Sequence, residues 1–331
     1  MIEYKHTAED LREMQAWSLN RKIQVTQMRI IEFYERLNGN VYISFSGGKD
    51  STVLLDLARR CYPDITAVFC DTGLEYPEVR KFALSREKIT RIKPEMRFDE
   101  VIKEYGWCFP SKDVAIAIYA AKRGVRFGLN YFEGLNADGT ESYYKKTHYP
   151  QWKFLVDSPV KISDKCCYYM KEKPFNRFAR ETKKVKIVGT MADESYRRKT
   201  GWFKTGCNVF EKGKQASKPL SFWTEQDILQ YLHDYKIPYA SVYGDIIEDE
   251  KGRLTTTGEK RTGCMFCPVG CHLEKPNKFQ RMQITHPKLW KYVIYDLALH
   301  ELLDYVGVPY KADTETLSQT GEINLFNKNE Q

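Results

Sequence analysis

Two groups of residues in this sequence carry side chains that can do chemistry. The first is Ser46-Gly47-Gly48-Lys49-Asp50-Ser51-Thr52, where two glycines stand beside a lysine, an aspartate and three hydroxyls. Glycines let backbone N–H groups close on an anion, the lysine brings a full charge, and a helix N-terminus adds partial positive charge. That set suits a polyphosphate. The second group is cysteine: the adjacent pair Cys166-Cys167, then Cys264-x-x-Cys267 with Cys271 four residues on. A disulfide between adjacent cysteines is strained, so they are better placed as soft ligands or reactive thiols. Two thiolates at i and i+3 in a glycine-bearing turn can grip one metal ion or two irons of a cluster, and the same spacing serves zinc knuckles.

The elements that must position these residues follow from the flanking pattern. An apolar, β-branched run from Val41 to Phe45, containing Ser44, leads straight into the glycines. Val53, Leu54, Leu57 and Ala58 then recur at helical spacing. A second strand is expected over Ile65–Cys70, ending in Asp71-Thr72-Gly73. Strand, helix and strand within about 30 residues make a βαβ unit, hence a parallel sheet with helices on its faces. Ligands in such sheets lie beyond the C-terminal strand ends, where the strand order switches. Val185–Val188 reads as a further strand, running into Gly189 and then Asp193-Glu194-Ser195-Tyr196-Arg197-Arg198. Gly189 fits a close backbone approach, and either arginine could reach phosphate. Thr224 with Asp227 forms an acidic variant of a capping box. The fold class expected is α/β, an open, mostly parallel twisted sheet flanked by helices. A helical lead-in is expected over residues 1–38 and a nucleotide-binding domain over 39–245. A cysteine-bearing helical region over 246–310, with helices at 279–282 and 289–305, and a polar tail over 311–331 complete the chain.

With 331 residues, 42% apolar and 29% charged, the composition is that of an ordinary globular protein. There is no apolar run of about 18 residues, and residues 1–6 lack a signal-peptide core, so a cytoplasmic protein without membrane contact is expected. A net charge of +8 favours an anionic partner. Nine cysteines in such a chain read as metal, cluster or catalytic thiols before disulfides. Cys61, Cys70, Cys108 and Cys207 fit packing positions. Lys122, Arg123 and Arg126, with the tyrosine-rich stretch around Gly134–Tyr149, read either as a nucleic-acid patch or as a solvated surface.

The string Ser46–Ser51 resembles the pyrophosphate loop of the ATP pyrophosphatase (PP-loop) superfamily. Further stretches resemble its phosphoadenosine phosphosulfate (PAPS) reductase-like branch: Asp71-Thr72-Gly73 with Pro77-Glu78, Pro110-Ser111-Lys112, and Pro219 with Trp223-Thr224 and Asp227. Gly189 to Arg198 resembles another element of the branch, with Met191 where its first arginine would stand. The resemblance implies an adenine nucleotide α-hydrolase-like fold and a cradle for ATP and Mg²⁺. Its residues would be Ser44, Ser46, Gly47, Gly48, Lys49, Asp50, Ser51, Thr52, Asp71, Thr72, Gly189, Glu194, Arg197 and Arg198. Lys49 and Asp50 would be catalytic, Asp50 orienting the loop or reaching Mg²⁺. Cys166, Cys167, Lys171, Pro174, Cys264 and Cys267 resemble the layout of adenylylsulfate reductases, which implies a [4Fe–4S] cluster on the four thiolates, with zinc as the alternative. Cys271 is surplus to that count and could replace Cys166 or act as a catalytic, sulfur-carrying thiol. No cysteine follows Cys271, whereas sulfonucleotide reductases use a C-terminal one. The activity implied is cleavage of ATP to AMP and pyrophosphate to activate an acceptor for sulfur transfer. DNA or tRNA and a sulfur donor such as a cysteine desulfurase are the implied partners. A sulfonucleotide reductase releasing sulfite through Cys271, and a non-catalytic nucleotide-binding subunit, are the alternatives.

Overall fold

The computed structural model describes residues 4–136, 138–142 and 149–313. Most of the tail from 311, and part of the Gly134–Tyr149 stretch, lie outside the described residues. The chain forms two compact units, each from two stretches: Met1–Lys93 with Pro174–Gly263, and Pro94–Lys173 with Cys264–Gln331.

In the first unit, strands β1 (Val41–Ser44), β2 (Ala67–Cys70), β3 (Ile89–Ile92), β4 (Val185–Val188), β5 (Asn208–Val209) and β6 (Ala216–Ser217) form one sheet in the order β3-β2-β1-β4-β6-β5. Every pairing is parallel except β5 with β6. Ile43 stands opposite both Ala67 and Ile187, and strands covered on both faces read as continuous apolar runs. Val41–Ile43 and all of β2 are accordingly buried. β1 lies between β2 and β4, so the order reverses at its edge, and the glycine loop leaves β1 at that point.

The lead-in is two helices, α1 (Ala8–Ala16) and α2 (Leu19–Arg36), parted where Ser18 caps the second by accepting from Arg21 N. Lys22 of α2 is 2% exposed and gives its ammonium to both Asp227 oxygens (2.7 and 2.6 Å) and to Gln15 O (2.7 Å). An ammonium so deeply buried needs such partners. Trp223 Nε1 donates to Thr26 Oγ1 at 2.8 Å, and the Thr224–Asp227 capping box forms. The Trp-Thr-x-x-Asp string is therefore the joint between α2 and the helix Glu225–Asp234. Residues 246–256, expected to open a helical region, instead form a hairpin of β7 (Ile246–Glu248) and β8 (Leu254–Thr256). The Asp249 side chain, accepting from Lys251 N and Arg253 N (both 2.9 Å), builds its turn.

The second unit is mainly helical, with Phe98–Tyr105 and Lys112–Lys122 its longer early helices. The helix expected over 289–305 is broken. Pro287–Lys291 widens into a π-type turn at Tyr292–Asp296, and Ala298 at φ +54° restarts the chain as Leu299–Tyr305. No helix among the described residues is long and apolar enough to cross a membrane.

Candidate functional site

The loop between β1 and α3 (Lys49–Cys61) is closed by its own polar atoms. Ser46 N donates to Ser51 Oγ (3.2 Å), the Ser46 and Ser51 hydroxyls meet at 3.0 Å, and Ser51 and Thr52 donate to Gly48 O (3.0 and 2.9 Å). Gly47 has φ +76°, and a Cβ there would lie 3.0 Å from Val79 O. Both facts demand glycine. Gly189, at the end of β4, would bring a Cβ within 3.0 Å of Asp50 O, so it lets β4 pack directly on the loop.

Lys49 is buried and its Nζ lies 3.3 Å from Glu225 Oε1 and 5.1 Å from the centre of the Tyr243 ring. The Tyr243 hydroxyl interacts with the Lys49 backbone N–H and bonds the Thr262 hydroxyl at 2.6 Å. Burial pushes the carboxyl of Asp50 up to about 6, with Glu194 and Glu225 adding to the rise and Lys49 and Arg261 opposing it. Asp50 thus sits among two carboxylates and two cations. Glu225, Tyr243, Arg261 and Thr262 have no ligand role on sequence grounds. They reach the loop from distant parts of the chain, so no local spacing shows that they meet it.

Other residues expected to bind nucleotide are committed to neighbours. Burial would raise the Asp71 carboxyl, but Arg80 (2.8 and 3.0 Å) and Arg91 outweigh it and hold the group below its ordinary range. The Thr72 hydroxyl donates to Glu75 at 2.8 Å and accepts from Leu74 N. Glu194 accepts from Met191 N at 2.8 Å and pairs with Arg198, while Arg197 is exposed. Ser44 ends β1, half-buried.

In the second unit the cysteines gather. Trp107 N donates to Lys161 O and Ser163 N to Trp107 O (both 3.0 Å), laying residues 106–109 against 161–163. Gly106 permits this: its φ is +76° and a Cβ would fall 1.9 Å from Lys161 O. Gly270 N donates to Pro110 O at 3.1 Å, bringing in the turn that holds Cys264, Cys267 and Cys271. A hydrogen bond with Cys108 pushes the Cys166 thiol up, and one with Cys166 does the same for Cys167. Burial raises Cys267 and carries Cys271 to about 12. Lys112 and Lys171 act on Cys167, and Lys278 on Cys267 and Cys271. Cys108, expected only to pack, is buried and also belongs to this network. The donor set, soft thiols with lysines around them, has the chemistry of a cluster site. Yet among the described residues no group of three or more His, Cys, Asp or Glu side chains is arranged to hold a metal ion. The thiols fit such a group by type and not by arrangement.

The sequence matches the phosphoadenosine phosphosulfate reductase domain over residues 40–107 and 104–272. An uncharacterized protein of Methanocaldococcus jannaschii is 28% identical over 267 residues, 78% of this chain and 41% of that protein. A second one from the same organism is 25% identical over 285 residues, 81% of this chain and 51% of that protein. The chain thus spans about half, or less, of these two relatives. A phosphoadenosine 5'-phosphosulfate reductase of Xylella fastidiosa is 24% identical over 199 residues, 60% of this chain and 64% of that enzyme. Among solved structures, a PAPS reductase from Candida auris is 15% identical with a TM-score of 0.38, covering 75% of this chain and 98% of that one.

Proposed function

This chain belongs to the phosphoadenosine phosphosulfate reductase domain family, and we propose that it binds ATP at the glycine loop and cleaves it to AMP and pyrophosphate to activate an acceptor for sulfur transfer. The observation that carries this reading is the loop itself: a closed glycine turn at the sheet's switch point, with a buried lysine at the start of the helix that follows. Cleavage between the α and β phosphates builds charge on the departing pyrophosphate. Lys49 and the backbone N–H groups of the loop neutralise it, which is the main catalytic term in such reactions. Asp50, ionised at neutral pH, orients the loop or holds the cation. Mg²⁺, when bound, would supply further charge neutralisation on the phosphates.

The acceptor class we favour is nucleic acid, DNA or tRNA, with sulfur delivered by a donor such as a cysteine desulfurase; the net positive charge supports an anionic acceptor. A [4Fe–4S] cluster on Cys166, Cys167, Cys264 and Cys267 is part of the proposal on the strength of its donor set, and would supply redox or sulfur-handling chemistry. A sulfonucleotide reductase is the second reading, supported by the relative from Xylella fastidiosa. It would use Cys271 as nucleophile, but that thiol is 1% exposed and burial holds it protonated, both unfavourable to attack.

The test supplies anaerobically prepared protein separately with Mg²⁺–ATP and with adenylyl sulfates plus a thiol reductant, and follows AMP, pyrophosphate and sulfite together. AMP and pyrophosphate from ATP, lowered on the order of 100-fold or more in Lys49→Ala, are expected. Sulfite from the sulfonucleotide, with ATP untouched, would overturn the reading.

A further inference from the structure

Lys49 is the one full positive charge that the glycine loop carries in its own sequence, and it is drawn toward the Glu225 carboxylate. A departing pyrophosphate carries several negative charges, so a single lysine and the backbone dipoles leave much of that charge unmet.

A second cation is carried by the segment that returns from the β7–β8 hairpin. Gly258 N donates to Tyr243 O and Glu259 N to Val242 O, both at 2.9 Å. The packing there is close: a Cβ at Gly258 would lie 2.3 Å from Val242 O, and one at Gly244 would lie 2.2 Å from Thr257 Oγ1 and 2.9 Å from Gly258 N. Residues 257–259 are therefore fixed against 242–244. Three residues further on, the Thr262 hydroxyl bonds Tyr243 Oη at 2.6 Å. That pair covers the loop glycine. A Cβ at Gly48 would stand 3.3 Å from Tyr243 Oη and 4.0 Å from Thr262 Oγ1.

Arg261 immediately precedes Thr262 of this clasp. It is exposed, it makes no hydrogen bond or ion pair among the described residues, and its guanidinium acts electrostatically on Asp50 of the loop. An unpaired guanidinium on the residue next to this anchored threonine, close enough to the loop to act on Asp50, has the planar, two-pronged geometry that grips phosphate oxygens.

We propose that Arg261 is the second phosphate-binding cation of this site, gripping the β and γ phosphates of the nucleotide and the pyrophosphate that leaves, with the Tyr243–Thr262 pair as the clasp that positions it. The proposal rests on the reading of the glycine loop as a nucleotide site. It makes the site selective for ligands that contain a pyrophosphate group over those, such as AMP, that do not.

Titration calorimetry on the full chain at fixed ionic strength tests it, with Mg²⁺–ATP, inorganic pyrophosphate and AMP as probes. Arg261→Ala is expected to weaken ATP and pyrophosphate on the order of 10-fold while leaving AMP within about twofold, and Arg261→Lys to restore part of the loss. Tyr243→Phe, which unties the clasp and keeps the arginine, is expected to weaken the same two probes by a smaller factor. If Arg261→Ala binds pyrophosphate and ATP as the parent does while Lys49→Ala does not, Arg261 has no such role and the loop reading stands. If the parent binds neither ATP nor pyrophosphate, the loop reading falls and this proposal with it.

Discussion

The glycine loop and the cysteine centre are both candidate sites, but they are built on different plans. The loop is closed by neutral hydrogen bonds among Ser46, Gly48, Ser51 and Thr52, all of which lie within seven consecutive residues. Its shape is set by short-range bonds between its hydroxyls and its own backbone. The cysteine centre draws thiols from three separate stretches, around Cys108, Cys166–Cys167 and Cys264–Cys271. Thiols are weak hydrogen-bonding groups, so burying several together leaves protonated, mutually raised groups instead of a closed geometry. One site is closed by its own hydrogen bonds; in the other, among the described residues, no group of three or more ligating side chains is arranged to hold a metal ion.

That contrast is broken most decisively by iron. Anaerobic reconstitution with ferrous iron and sulfide should load about four irons per chain and raise the thermal midpoint, because metal binding adds to folding free energy. Cys167→Ser should lose nearly all of the iron and its visible absorption, whereas Lys49→Ala should keep both. Iron retained in Cys167→Ser, or a parent that takes up zinc and no iron, would refute the four-thiol cluster. A midpoint unmoved by loading would show that the folded centre does not hold the iron in preference to the unfolded chain.

The same difference decides what could be read from the sequence. Ser46–Thr52 lies between an apolar run and a helical pattern, so its strand, turn and helix were legible from local spacing alone. So was the Thr224–Asp227 cap. The cysteines were legible as a donor set, but that Cys108 meets Cys166 depends on the pairing of residues 106–109 with 161–163, which no local pattern encodes. That Tyr243, Glu225, Arg261 and Thr262 meet the loop was hidden for the same reason. The π-type turn at Tyr292–Asp296 was hidden differently, since the apolar spacing there satisfies an unbroken helix as well as the broken one.

A preorganised loop should also carry a cost, and Asp50 is where it shows. Its carboxyl titrates near 6 in the folded chain against an ordinary 3.8, raised first by burial. The unfolded chain ionises first as pH rises. Stability therefore declines between about pH 4 and pH 6 and stays lowered above that range, by roughly 2–3 kcal/mol. Asp50→Asn removes the charge and should be more stable than the parent at pH 8, its advantage shrinking as pH falls through 6 toward 4. Urea midpoints at pH 4.5 and pH 8 measure this. An equal difference at both would mean that the ionised carboxylate is well accommodated and that the loop is not strained electrostatically.

The smallest effect bears on how much of the loop is side chain and how much backbone. Glu225 holds Lys49 Nζ at 3.3 Å while nearly half exposed, so the pair is weak and screened by water. If the backbone alone sets the loop, the carboxylate only competes with phosphate for the lysine. Glu225→Gln should then tighten pyrophosphate and ATP by about two- to fivefold at low ionic strength, with the gain fading as salt is added. If Glu225 is instead needed to aim Lys49, the same substitution weakens both ligands, and the weakening persists at high salt because lost positioning is not screened. Calorimetry with inorganic pyrophosphate at two ionic strengths separates the outcomes, and the second would mean that the loop, like the cysteine centre, depends on a long-range side-chain contact for its working geometry.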